Sequence, residues 1–215
     1  MKSFSSWTQE EVEEEFGLHL QYDIPLLEDW LAMEMELSRE DEISLQELSQ
    51  KLRTWIYRWN EEELKISFVA FLLDMVDFNK ENYRSFMERE LSVKYTQDKK
   101  LSGKIDFCVA TGSQTPKQPF FFINEYKREQ HSSNDPLGQL LAELVAAQFM
   151  NEQEQPLYGA YIVGRHWHFV VLTGKVYSVS LAYDATKNEI FDVYRILWNA
   201  KMIIDKTIQS MNQCK

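Results

Sequence analysis

The sequence predicts an α/β domain of the mixed α+β kind, with a central mixed sheet flanked by helices. Three observations predict it. Residues 1–60 carry apolar side chains at helical spacing behind strong capping signals. The chain then switches to strand-like runs near residues 105–110 and 119–126. A capped helical segment from Pro136 divides these from three further strand-like runs. The order is therefore helices, strand, strand, helix, strands, helix, which calls for helices packed on a sheet.

The elements follow in order. Thr8 and Glu11 have the spacing of a capping box, opening a first helix. Its Glu11–Glu15 run reads as a solvated face. From Ile24 to Leu37 a second helix places Leu26, Leu27, Trp30, Leu31 and Met33 on one side. Ser44 and Glu47 form another capping box, followed by a stripe of Leu45, Leu48, Leu52, Trp55 and Ile56. A third helix begins near Asn60, with Leu64, Phe68, Phe71, Leu72 and Met75 as its apolar stripe. Glu61 extends that stripe, while Glu62 lies on the neighbouring face with Ile66, Val69 and Leu73.

Ile105, Phe107 and Val109 alternate with Asp106, Cys108 and Ala110, as along a strand. Thr111–Gln118 is a polar loop. Pro119–Tyr126 is apolar on both faces until Asn124, which suits a central strand covered on two sides. Asn134 or Asp135 caps the next helix, and Pro136 fits its first position. Leu137, Leu140, Leu141 and Leu144 make one face of it, and Ala142 and Ala146 the opposite one. Strands are expected at 157–163, 167–172 and 176–183, joined by turns at Gly164-Arg165-His166 and Thr173-Gly174-Lys175. A last helix runs from about Asn188 to Met211.

With 215 residues the chain can bury one substantial core. Its 7 Gly and 5 Pro argue against a disordered or repetitive chain. Two cysteines, Cys108 and Cys214, cannot build a disulfide framework and read as free thiols of a reducing compartment. No apolar run is long enough to span a bilayer and no secretory leader is visible, so a cytoplasmic protein that does not engage a membrane is expected. The net charge of -11 argues against a nucleic-acid coat protein, whose affinity would rest on Lys and Arg. It leaves a nuclease open, because a metal site brings its own carboxylates. The most basic stretch holds Lys94, Lys99, Lys100, Lys104, Lys117, Lys127, Arg128 and His131. These side chains can meet phosphates or simply face solvent.

The chemistry centres on Asp106, Glu125 and Lys127. Side chains on a strand repeat every two residues, so Glu125 and Lys127 point the same way, about 7 Å apart at their Cα atoms. A hairpin-like pairing of the two strands brings Asp106 beside Glu125. Two converging carboxylates repel unless a cation lies between them, and magnesium prefers hard oxygen ligands. An E-x-K on a strand is commonly just a charge-balanced surface. Here it follows Phe120-Phe121-Phe122-Ile123, so the charges arrive at the end of a buried strand, where sites of α/β proteins lie.

The segments Gly103-Lys104-Ile105-Asp106-Phe107, Pro119 to Lys127 and Asp135-Pro136-Leu137-Gly138-Gln139-Leu140 resemble the PD-(D/E)XK nuclease superfamily. Within it, they are most similar to the nuclease domain that opens type I restriction enzyme motor subunits and to small stand-alone relatives. The resemblance covers roughly residues 59–200, with Ile105 standing where the name-giving proline would be. It implies a restriction-endonuclease-like fold at 59–215, preceded by a helical extension at 1–58 packed on the core. It implies Mg2+, or Mn2+, bound by Asp106, Glu125 and an acidic residue of an earlier helix. Glu61 is the first choice there, with Glu62 and Glu63 as alternatives. Lys127 would assist the attacking water and Gln139 would support the site. The implied activity is hydrolysis of DNA phosphodiester bonds, in restriction, defence or repair, with nucleic acid as partner and a homodimer as one way to strengthen binding.

A competing reading is a catalytically silent module of the same fold that binds a protein partner. A small-molecule domain has no support, because no Gly-rich phosphate loop or nucleophile elbow is present. His166 and His168 share one face of a strand and could bind a metal, but a cross-strand contact explains them as well.

Overall fold

The computed structural model describes residues 2–129, 135–151 and 155–213. His131, Asn134 and Cys214 fall outside them. Its centre is an eight-stranded mixed sheet with the order β1-β7-β6-β5-β4-β3-β2, and β8 pairs with β6. The strands are β1 (His19–Leu20), β2 (Arg84–Lys94), β3 (Lys100–Thr111), β4 (Lys117–Lys127), β5 (Leu157–Val163), β6 (His166–Thr173), β7 (Val176–Val179) and β8 (Tyr183–Asp184). The helices are α1 (Gln9–Phe16), α2 (Pro25–Ala32), α3 (Arg39–Trp55), α4 (Glu61–Leu64), α5 (Ala70–Val76), α6 (Pro136–Asn151) and α7 (Glu189–Gln213).

The central strands β4 and β5 run parallel and are joined through α6, as a parallel pair requires. Both faces of β3 and β4 are covered, which is why their apolar runs are continuous. On one face α2, α3, α5 and α7 enclose a core around Trp30, Phe107, Phe122, Tyr126 and Phe169. Trp30 donates its indole N–H to the Ile196 carbonyl at 2.9 Å, which satisfies the only polar group of a fully buried ring. On the other face α6 lies against β4 and β5, and α1 lies across α6.

That stacking corrects the two-faced reading of α6. Every residue from Gly138 to Ala147 is buried, because α1 covers the side turned away from the sheet. Asp135 fastens the two helices together. One carboxylate oxygen accepts from Gly138 N at 3.0 Å and caps α6. The other accepts from Gln9 N at 2.7 Å in the first turn of α1. Residues 2–58 also reach the sheet itself, since β1 pairs with β7.

Several expected boundaries move. The capping box of Thr8 and Glu11 is present. The Ser44–Glu47 box is not a helix start: Ser38 caps α3 through Asp41, and Glu40, Asp41 and Glu42 favour that earlier end. Trp55, the last residue of α3, is 43% exposed rather than part of the buried stripe. Helix α2 stops at Ala32, because the Met33 and Met35 carbonyls are taken by Asn199 and Arg195 of α7. After α4 the chain makes a π-helical turn, Lys65–Val69, before α5. The extra residue in that turn rotates the helix, so Phe71 and Ile66 are exposed while Val69, Leu73 and Val76 are buried. The last predicted strand ends at Val179, where Ser180 N and Oγ bond to the backbone of Phe169. Strand β2 was not expected from the sequence.

A Cβ added at Gly138 would lie 2.4 Å from the Thr8 carbonyl carbon and 2.5 Å from Gln9 N, both backbone atoms that cannot swing away. Gly138→Ala is therefore expected to destabilise the protein by about 1–3 kcal/mol. Urea denaturation checks this; unchanged stability would show that α1 is not tightly docked on α6.

Candidate functional site

Where the C-terminal end of β4 meets the middle of β3, polar residues of the core collect. Asp106 lies on β3, and Glu125 and Lys127 lie on β4. Phe107 pairs with Asn124 across the two strands, so Asp106 and Glu125 fall on the opposite face, the one covered by α6. All three predicted residues are thus brought together. Asp106 Oδ2 accepts the backbone N–H of Tyr126 at 3.0 Å, clamping β3 to β4 at the site. Lys127 Nζ pairs with Glu125 Oε1.

Around them stand residues that sequence reasoning missed. Lys65, in the π-helical turn, donates to Asp106 Oδ1 at 2.9 Å and to Glu88 at 3.1 Å. It also pairs with Glu62 at 3.3 Å and Glu61 at 3.4 Å. Glu88 comes from β2 with a φ of 54°, a left-handed conformation costing about 1 kcal/mol or more. The β2–β3 register runs straight through this point, pairing Met87 with Phe107 and Arg89 with Ile105, and only Glu88 and Asp106 drop out of the ladder. Of the three candidate glutamates, Glu61 and Glu62 reach Lys65, whereas Glu63 accepts the backbone N–H of Asn60 in a capping box. A lysine four residues after Glu61 was the available signal for Lys65, but the unforeseen π turn hid which side it faced.

Gln139 is buried on the first turns of α6. It donates to Glu143 Oε1 at 3.1 Å, and its own carbonyl oxygen has no partner. Glu143 is fully buried and is a further unpredicted member of the group. Its other oxygen, and Glu125 Oε2, are buried without a hydrogen-bond partner. Asn124 is fully buried on the opposite face, beside the buried Tyr126 side chain.

The electrostatics follow from this crowding. Burial, then the neighbouring Asp106 charge, pushes Glu125 up to about 8, against the opposing pull of Lys127. Burial, then Glu125, raises Glu143 as well. Lys65 pays for its burial through Asp106, which with Glu88 and Glu61 holds it firmly protonated. Six carboxylates (Glu61, Glu62, Glu88, Asp106, Glu125, Glu143) surround buried Lys65 and half-buried Lys127, so the site is short of positive charge. Among the described residues no three Asp, Glu, His or Cys side chains form a ready cation cage; lysine ammonium groups lie between the carboxylates instead. The orphaned, hard oxygen of Glu125 beside Asp106 nevertheless has the donor chemistry that magnesium requires.

The other expected groups are placed elsewhere. His168 stacks on its cross-strand partner Tyr161 at 4.5 Å, which accounts for it without a metal. Cys108 is a buried free thiol of β3. Much of the predicted basic stretch is already neutralised: Lys99 pairs with Glu15, Lys104 with Glu88 and Lys127 with Glu125. Among the described residues no helix is long and apolar enough to cross a membrane. A scan against protein-family models finds none that matches this chain, and a search of curated proteins finds no match either.

The raised Glu125 gives a signed pH dependence. Its carboxyl keeps a proton in the folded state that an unfolded chain releases near 4.5, so its contribution to stability is complete below that pH. The contribution is lost as pH rises toward about 8. In EDTA the melting temperature of the wild type should fall between those limits more steeply than that of Glu125→Gln. Parallel slopes in a thermal-shift series would refute this.

Proposed function

We propose that this chain is a magnesium-dependent nuclease of the PD-(D/E)XK kind, hydrolysing phosphodiester bonds in DNA. The observation that carries the reading is the meeting of buried Asp106, midway along β3, with buried Glu125 and half-buried Lys127 at the end of β4, with Glu125 Oε2 unpartnered. Asp106 and Glu125 would hold the ion, and Glu61 is the nearest acidic residue of the preceding helix to add a ligand. When bound, magnesium supplies Lewis-acid polarisation of the phosphate and an acidified water.

The chain's own residues do the rest. Asp106 is held by Lys65 and by the Tyr126 N–H, so its position is set before any ligand arrives. Lys127, kept protonated by Glu125 despite its burial, offers a fixed positive charge to the developing phosphate charge. Gln139 and Glu143 back Glu125 from α6.

A second reading, a catalytically silent module of the same fold, has one observation in its favour. Lys65 and Lys127 already neutralise Asp106 and Glu125, as expected of a site that works without a cation. Calorimetry and plasmid cleavage separate the two. The nuclease reading expects heat on titration with Mg2+ or Mn2+. It also expects cleavage that Asp106→Asn and Lys127→Ala lower by about a hundredfold or more. Absence of metal binding by the folded wild type, or equal cleavage in all three proteins, leaves the silent module.

A further inference from the structure

The end of α3 and the turn after it carry a surface that the site does not explain. From Leu48 to Asn60 the chain holds Lys51, Arg53 and Arg58 and no acidic residue, within a protein of net charge -11. Lys51, Arg53, Trp55, Tyr57 and Arg58 are all exposed, whereas Leu52 and Ile56 anchor the segment in the core. Tyr57 is 58% exposed and Phe71, on α5, is 54% exposed.

Each of these rings has a cation over it. Lys51 Nζ lies 4.8 Å from the Phe71 ring centre, and the Arg58 guanidinium 5.4 Å from that of Trp55. The Arg165 guanidinium lies 5.7 Å from the Tyr57 ring and donates to its hydroxyl at 2.5 Å. Lys51, Trp55 and Arg58 follow one another at the i, i+4, i+7 spacing of one helical face.

The surface adjoins the site. Arg165 N donates to Glu129, and Gly164 N donates to the carbonyl of Lys127 at 2.8 Å. Tyr57 is thus one side chain removed from the end of β4, and four residues before Glu61. The guanidinium groups are held in place by the rings and by Glu129, so their geometry is fixed in advance.

Resting on the nuclease reading, we propose that this segment binds single-stranded nucleic acid and leads it to the site. Exposed aromatic rings offer faces on which unpaired bases stack, whatever their sequence, and the guanidinium and ammonium groups beside them follow the phosphates. A duplex keeps its bases paired and stacked on one another, so it can use only the charges. This also meets the difficulty of the net charge: the free cations of this surface are concentrated in one segment without acids, residues 48–60, while Arg165 beside it is balanced by Glu129 and Asp184.

The test is fluorescence anisotropy of labelled oligothymidylate, with EDTA present so that nothing is cut. The wild type should bind the single strand at least tenfold more tightly than a duplex of equal length. Trp55→Ala and Tyr57→Ala should each weaken binding about tenfold, with Trp55→Phe retaining most of it. Both variants should keep the wild-type melting temperature and magnesium affinity. Arg53→Glu should weaken binding mainly at low salt. Preference for duplex, or undiminished binding in a folded Trp55→Ala/Tyr57→Ala double variant, overturns the proposal. No binding by the folded wild type overturns it too. Cleavage that survives with no single-strand preference removes this inference alone. Failure of the Asp106→Asn and metal tests removes the nuclease reading while leaving the binding result to stand.

Discussion

The carboxylate of Asp106 ties three parts of the chain at one point. One oxygen receives the Tyr126 N–H and locks β3 to β4; the other receives Lys65 from the turn between α4 and α5. Through Lys65, Glu61 and Glu62 of α4 and Glu88 of β2 are drawn to the same place. A carboxylate this deeply buried would be costly unpaired, and its fixed partners offset that cost. Glu61, Glu62 and Glu88 are placed by this junction.

What surrounds the junction is less well compensated. Helix α6 is enclosed by the sheet below and α1 above, yet it carries Gln139 and Glu143 into that dry space against Glu125. Proton uptake by the carboxyls is one relief, favoured because burial and neighbouring negative charge raise Glu125 and Glu143. A cation is the other. The two compete for the same oxygens, so occupancy by metal and protonation are linked in opposite directions.

The mixed fold, the central place of β4 and the gathering of Asp106, Glu125 and Lys127 were legible in the sequence. Each rests on a local signal: both-face apolarity, period-two spacing, and charge arriving at the end of a buried run. Three things were not legible, for physical reasons. The π turn at Lys65–Val69 adds a residue to the helical repeat, so the periodicity that placed Phe71 inside points it outward. Strand β2 is an edge strand with many solvent-facing charges, and its alternation is too weak to stand out. Glu143 reads as one more polar residue of a helix until α1 is seen to close over it. Trp55 is the reverse case: a large aromatic at stripe spacing, the last residue of α3, left exposed while Leu52 and Ile56 beside it are buried.

The left-handed kink at Glu88 reaches beyond the site. It sits in β2, the outermost strand on that side of the sheet, and interrupts the row of pairing groups midway along the edge. At the far side the outermost strand is only two residues long. Neither border offers a long, straight template for a neighbouring chain, so the same kink that turns a glutamate toward Lys65 also discourages fibre-like stacking of sheets end to end.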